Sequence, residues 1–183
     1  GRVPVGLRRT FFAAAEALAA QTDLWLRGVA TQRIHGDFHL GNLIERDHTL
    51  HALDFDDAVV GPPVQDLWML LPGRDADTLR RRALFLASYE QFRAFDYSTL
   101  RLIEPLRGLR LVHFCGWLAA RWHDPIFGQT WPQFASDVFW HETHDALEQA
   151  LDLAFVDPEP VAAPADSGAV ELGNADFFWD WQK

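Results

Sequence analysis

One cysteine, one methionine and one lysine are all that this chain of 183 residues holds of each. Cys115 alone cannot close an internal disulfide. It lies in LVHFCGWL, which reads as a buried helix, so a core thiol is expected there rather than a nucleophile. The lone lysine is the last residue, Lys183, so chemistry that needs a buried lysine has no candidate in the body of the chain. Long uninterrupted apolar runs are missing as well, which excludes a membrane-spanning helix. Positive charge is in deficit: 16 lysines and arginines face 26 acids, giving a formal net charge of -10. That balance argues against nucleic acid or an anionic membrane as partner. No leader pattern and no internal repeat is visible, and the cytoplasm is the expected location. What remains is an ordinary folding composition, 49% hydrophobic and 23% charged, with enough chain to bury one core.

Periodicity predicts a helix from Pro4 to about Leu26, with Phe11, Phe12, Ala15, Leu18 and Ala19 at helical spacing. TQRIHGD reads as a short strand entering a loop. NLIER and LHALDF, separated by Asp47, His48 and Thr49, predict a β-hairpin. Gly61, Pro62 and Pro63 punctuate the chain before a helix in VQDLWMLL. Three long amphipathic segments follow at about Asp75–Phe95, Thr99–Trp122 and Ser136–Phe155; Pro105 marks a bend or a late start in the second. From Asp157 onward proline, alanine, glycine and acid dominate, and the chain ends in FFWDWQK. Residues 157–183 are expected to form a flexible tail whose rings either dock on the chain's own surface or bind another protein or lobe. The expected fold class is α+β, mostly helical, with a small β-hairpin carrying the motifs of interest.

Those motifs centre on RIHGDFHLGNL, from Arg33 to Leu43, which admits two readings. In an extended strand His35, Asp37 and His39 would point the same way and could hold zinc or iron. Gly36 and Gly41 bracket the segment, however, and favour a loop. The second reading takes Asp37, then Asn42 five residues on, then Asp54 beyond the hairpin. Phosphoryl transfer from ATP needs a carboxylate to orient the attacking hydroxyl and accept its proton, and oxygen ligands for magnesium. Magnesium takes few protein ligands and keeps several waters, so one aspartate and one asparagine suffice. A hairpin between Asn42 and Asp54 would bring the two side by side. His35 would then support the loop by hydrogen bonding. Turn capping alone also explains isolated Asp and Asn residues, but less readily three at the ends of short strands.

HGDFHLGN is similar to the HGDxxxxN catalytic loop of the aminoglycoside phosphotransferase and choline kinase-like superfamily, itself related to the HRDxxxxN loop of protein kinases. LDFDD stands where that superfamily places its magnesium-binding aspartate. LDFDDAVVGPPVQDLWMLLPG and LIEPLRGLRLVHFCGWLAARWHDPIF resemble the bacterial stress response kinase A family of cytoplasmic serine/threonine protein kinases. The resemblance runs from about Leu7 to Phe155. It implies ATP and Mg2+ as cofactors, a serine or threonine of a protein as acceptor, Asp37 as catalytic base, and Asn42 and Asp54 as metal ligands. It also implies that Asp66 supports the catalytic loop from the following helix, a role compatible with the helix dipole favouring an acid in that first turn.

Two departures qualify the pattern. The triplet Asp54, Phe55, Asp56 lacks the glycine of the protein-kinase DFG; Asp56 and Asp57 are expected to make only outer contacts to the metal site. The chain also lacks the glycine-rich loop and strand lysine that kinase-like folds carry on a preceding β-rich lobe. Residues 1–156 are thus expected to be a kinase-like C-terminal lobe, with the catalytic loop at 35–42 and the metal segment at 53–57. The chain alone would be incomplete and inactive. A kinase for a small hydroxylated or amino-bearing metabolite uses the same residues and is the alternative enzyme; a non-catalytic binding module is the alternative without chemistry.

Overall fold

The computed structural model describes residues 3–156, so the expected tail at 157–183 lies outside the described residues. Within them the chain is mostly helical, with two small antiparallel sheets, and it divides into two compact units.

The first unit takes Gly1–Gly28 and Arg101–Pro158, of which the described part is a helical bundle. Its elements are α1 (Arg8–Leu26), α4 (Ile103–Arg121), α5 (Pro125–Thr130) and α6 (Asp137–Ala154). In α1 the buried residues Phe11, Ala14, Ala15, Leu18 and Thr22 fall on one stripe at the helical period. The stripe faces α4 and α6, whose own buried rows include Gly108, Leu111, Cys115 and Leu118 on one, and Phe139, Thr143, Leu147 and Ala150 on the other. Full burial of leucines such as Leu18, Leu118 and Leu147 contributes about 1.5–3 kcal/mol each. Gly108 sits where the three helices close: a Cβ there would lie 2.5 Å from the Leu18 Cδ1. An aromatic knot completes the unit. The buried Phe134 ring contacts Trp122, Phe139 and Trp140, and the Trp140 indole N–H donates to the Phe134 carbonyl at 3.1 Å.

Cys115 is buried in α4, and burial pushes its thiol up to about 12 from 9.0. At pH 8 that lowers the thiolate fraction by a factor of about 1,000. Alkylation of native protein is therefore expected to follow global unfolding, and labelling at the denatured rate without denaturant would contradict this placement.

The second unit, described over Val29–Leu100, carries the sheets. Strand β1 (Gln32–Ile34) pairs antiparallel with β4 (Val59–Gly61), in register Ile34 with Val59. Between them lies a hairpin of β2 (Leu43–Arg46) and β3 (Thr49–Ala52). Its turn residues, Asp47 and His48, both adopt positive φ, at 51° and 59°, the twist that two-residue hairpin turns require. Then come α2 (Val64–Leu70) and α3 (Ala76–Tyr89). Asp75 caps α3, accepting from the Thr78 N–H at 2.9 Å and its hydroxyl at 2.8 Å, and these bonds hold its carboxyl below the usual range. Buried Arg82 of α3 donates to the carbonyls of Leu71 and Gly73, satisfying oxygens that the end of α2 leaves open. That bond set fixes α2, which in turn holds the loop described next.

Relative to the sequence, α1 starts at Arg8 rather than Pro4, because Pro4 closes a turn by accepting from the Leu7 and Arg8 N–H groups. The segment expected as a helix from Thr99 opens as a 3-10 stretch, Tyr97–Leu102, and α4 proper begins at Ile103. Pro105 thus falls in the first turn, where its missing N–H costs nothing. Strand β4 and helix α5 are additions to the sequence-based expectation.

Candidate active site

The loop between β1 and β2 is held from three sides, all within the second unit. From α2, the Asp66 carboxylate accepts the His35 N–H at 2.8 Å through Oδ2 and the Gly36 N–H at 2.9 Å through Oδ1. One residue earlier, the Gln65 side-chain amide donates to the Gly36 carbonyl at 3.2 Å, while its own oxygen accepts from the Trp68 indole at 3.0 Å. Both backbone groups of Gly36 are therefore committed to α2. Gly36 has φ +85°, and a Cβ there would run into the Asp57 carbonyl oxygen. Gly36→Ala is expected to cost at least about 2 kcal/mol, from the left-handed backbone and the clash together. Urea unfolding checks this; a variant as stable as the parent would show that the close approach does not hold.

From the hairpin side, His35 Nε2 lies 2.7 Å from the Leu53 carbonyl, so the ring donates there and carries its proton on Nε2. His35 is 6% exposed, and its ring packs against Phe38 and Phe55, at centroid distances of 5.3 and 4.8 Å. Its Nδ1 is buried with no hydrogen-bond partner among the described residues. The third set of bonds is internal to the loop. The Asn42 side-chain amide donates to the Asp37 carbonyl at 2.9 Å, and the Asn42 N–H donates to the His39 carbonyl at 2.9 Å. Committing the amide nitrogen in this way turns the Asn42 oxygen to the opposite side. His39 caps the 3-10 turn Leu40–Asn42, its Nδ1 accepting from the Gly41 N–H at 3.0 Å, and its Nε2 lies 3.5 Å from Asp37 Oδ2.

The Leu53 N–H donates to the Asn42 carbonyl at 2.9 Å, so the hairpin returns the chain to Asn42 one residue before Asp54. Asp54 itself takes the left-handed conformation, φ 59° and ψ 64°, which aspartate tolerates better than most residues. It precedes the 3-10 turn Phe55–Asp57, and Asp54, Asp56 and Asp57 are all exposed. Several apolar side chains beside them face solvent too: Ile44, Leu50, Phe55, Val59 and Val60.

Hydrogen bonds thus join His35 to Asp66 and Asp37 to Asn42 along one loop, and Leu53, the residue before Asp54, bonds to Asn42. A histidine cage does not form here. His35 turns to Leu53 and His39 to Gly41 and Asp37, and the one group of metal-type ligands that converges among the described residues is elsewhere, at His144, Asp145 and Glu148. Sequence reasoning missed Gln65 and Trp68, whose i,i+3 spacing on one helical turn was the available signal, and the cap made by His39.

Comparison with known proteins bears on what such a loop does. The model of the Phosphotransferase enzyme family matches residues 2–103. Stress response kinase A of Escherichia coli strain K12 is 41% identical over 150 residues, which is 81% of this chain and 45% of that protein. The protein of the same name from Salmonella paratyphi A is 40% identical over 149 residues, 80% of this chain and 45% of that one. The protein named serine/threonine protein kinase RdoA of Salmonella typhimurium matches to the same extent, 40% over 149 residues. The chain therefore spans less than half the length of these relatives, 45% in each case.

Proposed function

The chain belongs to the phosphotransferase enzyme family, and from that premise we propose that it is the C-terminal lobe of an ATP-dependent kinase acting on serine or threonine of a protein. The observation that carries this reading is the hydrogen-bonded loop from His35 to Asn42, closed onto Leu53 one residue before Asp54.

In this reading Asp37 accepts the proton of the acceptor hydroxyl as its oxygen bonds to the terminal phosphorus of ATP and the bond to ADP breaks. The donor set suits a hard divalent cation: an amide oxygen from Asn42, its nitrogen already used, and an exposed carboxylate from Asp54. Magnesium bound there would neutralise charge on the phosphates. Asp56 and Asp57 would contact its waters. Asp66 and His35 fix the loop and touch neither reactant. Protein as acceptor rests on the relatives named as kinases, one of them as a serine/threonine protein kinase. A further β-rich lobe would supply the phosphate-clamping loop and lysine; the described residues contain no lysine, and the apolar side chains from Ile44 to Val60 offer a face for such a lobe. No described helix is long and apolar enough to cross a membrane.

The test is transfer of labelled phosphate from ATP with magnesium, by the chain alone and by the chain with any in-frame sequence that precedes it. Label on serine or threonine of protein substrates, or of the chain itself, supports the reading. An extended form that binds ATP yet labels only a small hydroxylated metabolite moves the acceptor class. A form that binds no ATP at all leaves a binding module.

A further inference from the structure

We infer that His39 is a positioning residue for phosphate transfer, holding the Asp37 carboxylate through one ring nitrogen and the turn that carries Asn42 through the other; the inference rests on the phosphotransferase reading above. The ring's proton can be placed from its contacts. Nδ1 accepts from the Gly41 N–H at 3.0 Å, so it is the bare nitrogen and the proton sits on Nε2. That N–H group lies 3.5 Å from Asp37 Oδ2. The other carboxylate oxygen, Oδ1, is buried, while the Asp37 side chain as a whole keeps 16% exposure. The oxygen beside His39 is therefore the one an incoming hydroxyl can reach.

A ring N–H group at this distance turns the positive end of its dipole to the carboxylate and leaves the oxygen's lone pairs for the substrate proton. The same ring, through its cap on Leu40–Asn42, sets where Asn42 stands relative to Asp37. His39 is 37% exposed at the side chain, so burial does not explain why the ring is held here; the two contacts do. Base and metal ligand are thus tied to one imidazole, separate from the bonds that Asp66 and Gln65 make to Gly36.

Two substitutions separate the roles. Asparagine is a good cap and can accept the Gly41 N–H, but it is too short to reach Asp37. His39→Asn is expected to keep the melting temperature and the KM for ATP near those of the parent while kcat falls about tenfold. His39→Ala should lose the cap as well, lowering stability and kcat together. Parental kcat in His39→Asn would reduce His39 to a turn cap and overturn the inference. The ring itself gives an independent readout in the chain as it stands, through 15N shifts of a histidine-labelled sample. Nε2 should be protonated and Nδ1 bare, and Asp37→Asn should move the Nε2 resonance. The opposite tautomer, or an Nε2 signal indifferent to Asp37→Asn, would also overturn it. Absence of transfer by every wild-type form would instead defeat the phosphotransferase reading, and the 15N result would still decide the contact.

Discussion

Asp37→Asn is expected to lower phosphate transfer by about 10²–10⁴-fold while leaving the melting temperature within a degree or two of the parent. The two halves of this expectation come from different atoms. Catalysis uses the carboxylate, and an amide in its place cannot take up a proton at neutral pH. Stability uses the backbone, because it is the Asp37 carbonyl that accepts from the Asn42 amide at 2.9 Å, and that bond survives the substitution. The side chain's 3.5 Å contact with His39 positions the carboxylate but adds little to stability, and an amide oxygen can still face the ring there. KM for ATP should change little, since Asp37 acts on the acceptor hydroxyl rather than on the nucleotide. Rates and thermal unfolding of the same preparations check both halves. Retained turnover would remove Asp37 as base, and a collapse in stability would make the activity loss uninformative about chemistry.

The parts of this arrangement that are local in sequence are also the parts legible in it. The hairpin shows because its turn, Asp47 and His48, lies between two short apolar runs, and pairing follows from the turn. The return of the chain to Asn42 just before Asp54 shows because the hairpin must come back to its start. Strand β4 does not show: Val59–Gly61 is three residues long, ends in glycine just before Pro62, and pairs with β1 across the entire hairpin. Its partner choice is tertiary, and no local pattern encodes it. The helix ends shift for a related reason. Periodicity marks the apolar stripe of α1 and α4, but the 3-10 stretch Tyr97–Leu102 and the turn at Pro4 are settled by individual hydrogen bonds. His39 is the clearest case within the site. Alternation groups it with His35 and Asp37 as ligands of one metal, whereas the 3-10 turn after it breaks the alternation. Each histidine then takes its own partner. Asp66 needed the resemblance, because an acid in the first turn of α2 is already accounted for by the helix dipole.

The largest loss of stability is expected at that same residue. Asp66→Ala removes the acceptor of two backbone N–H groups at once, those of His35 and Gly36, and both belong to a loop with no regular structure to absorb them. His35 is buried, so its N–H cannot turn to water without opening the loop. A cost of about 2–4 kcal/mol follows, most of it from stranded donors rather than from the lost bonds themselves. Asp66→Asn should fare little better. One oxygen can satisfy only one of the two diverging N–H groups at its present site, and the new amide brings its own N–H against the other. Activity should fall with stability here, in contrast to Asp37→Asn, because the loop that aims Asp37 would be released while the carboxylate itself is intact. Denaturant unfolding gives the stability, and amide exchange gives the location: His35 and Gly36 should lose protection in Asp66→Ala before the helical bundle does. Unchanged protection at those two amides, with activity gone, would mean that Asp66 acts on a reactant directly and is misassigned as a support.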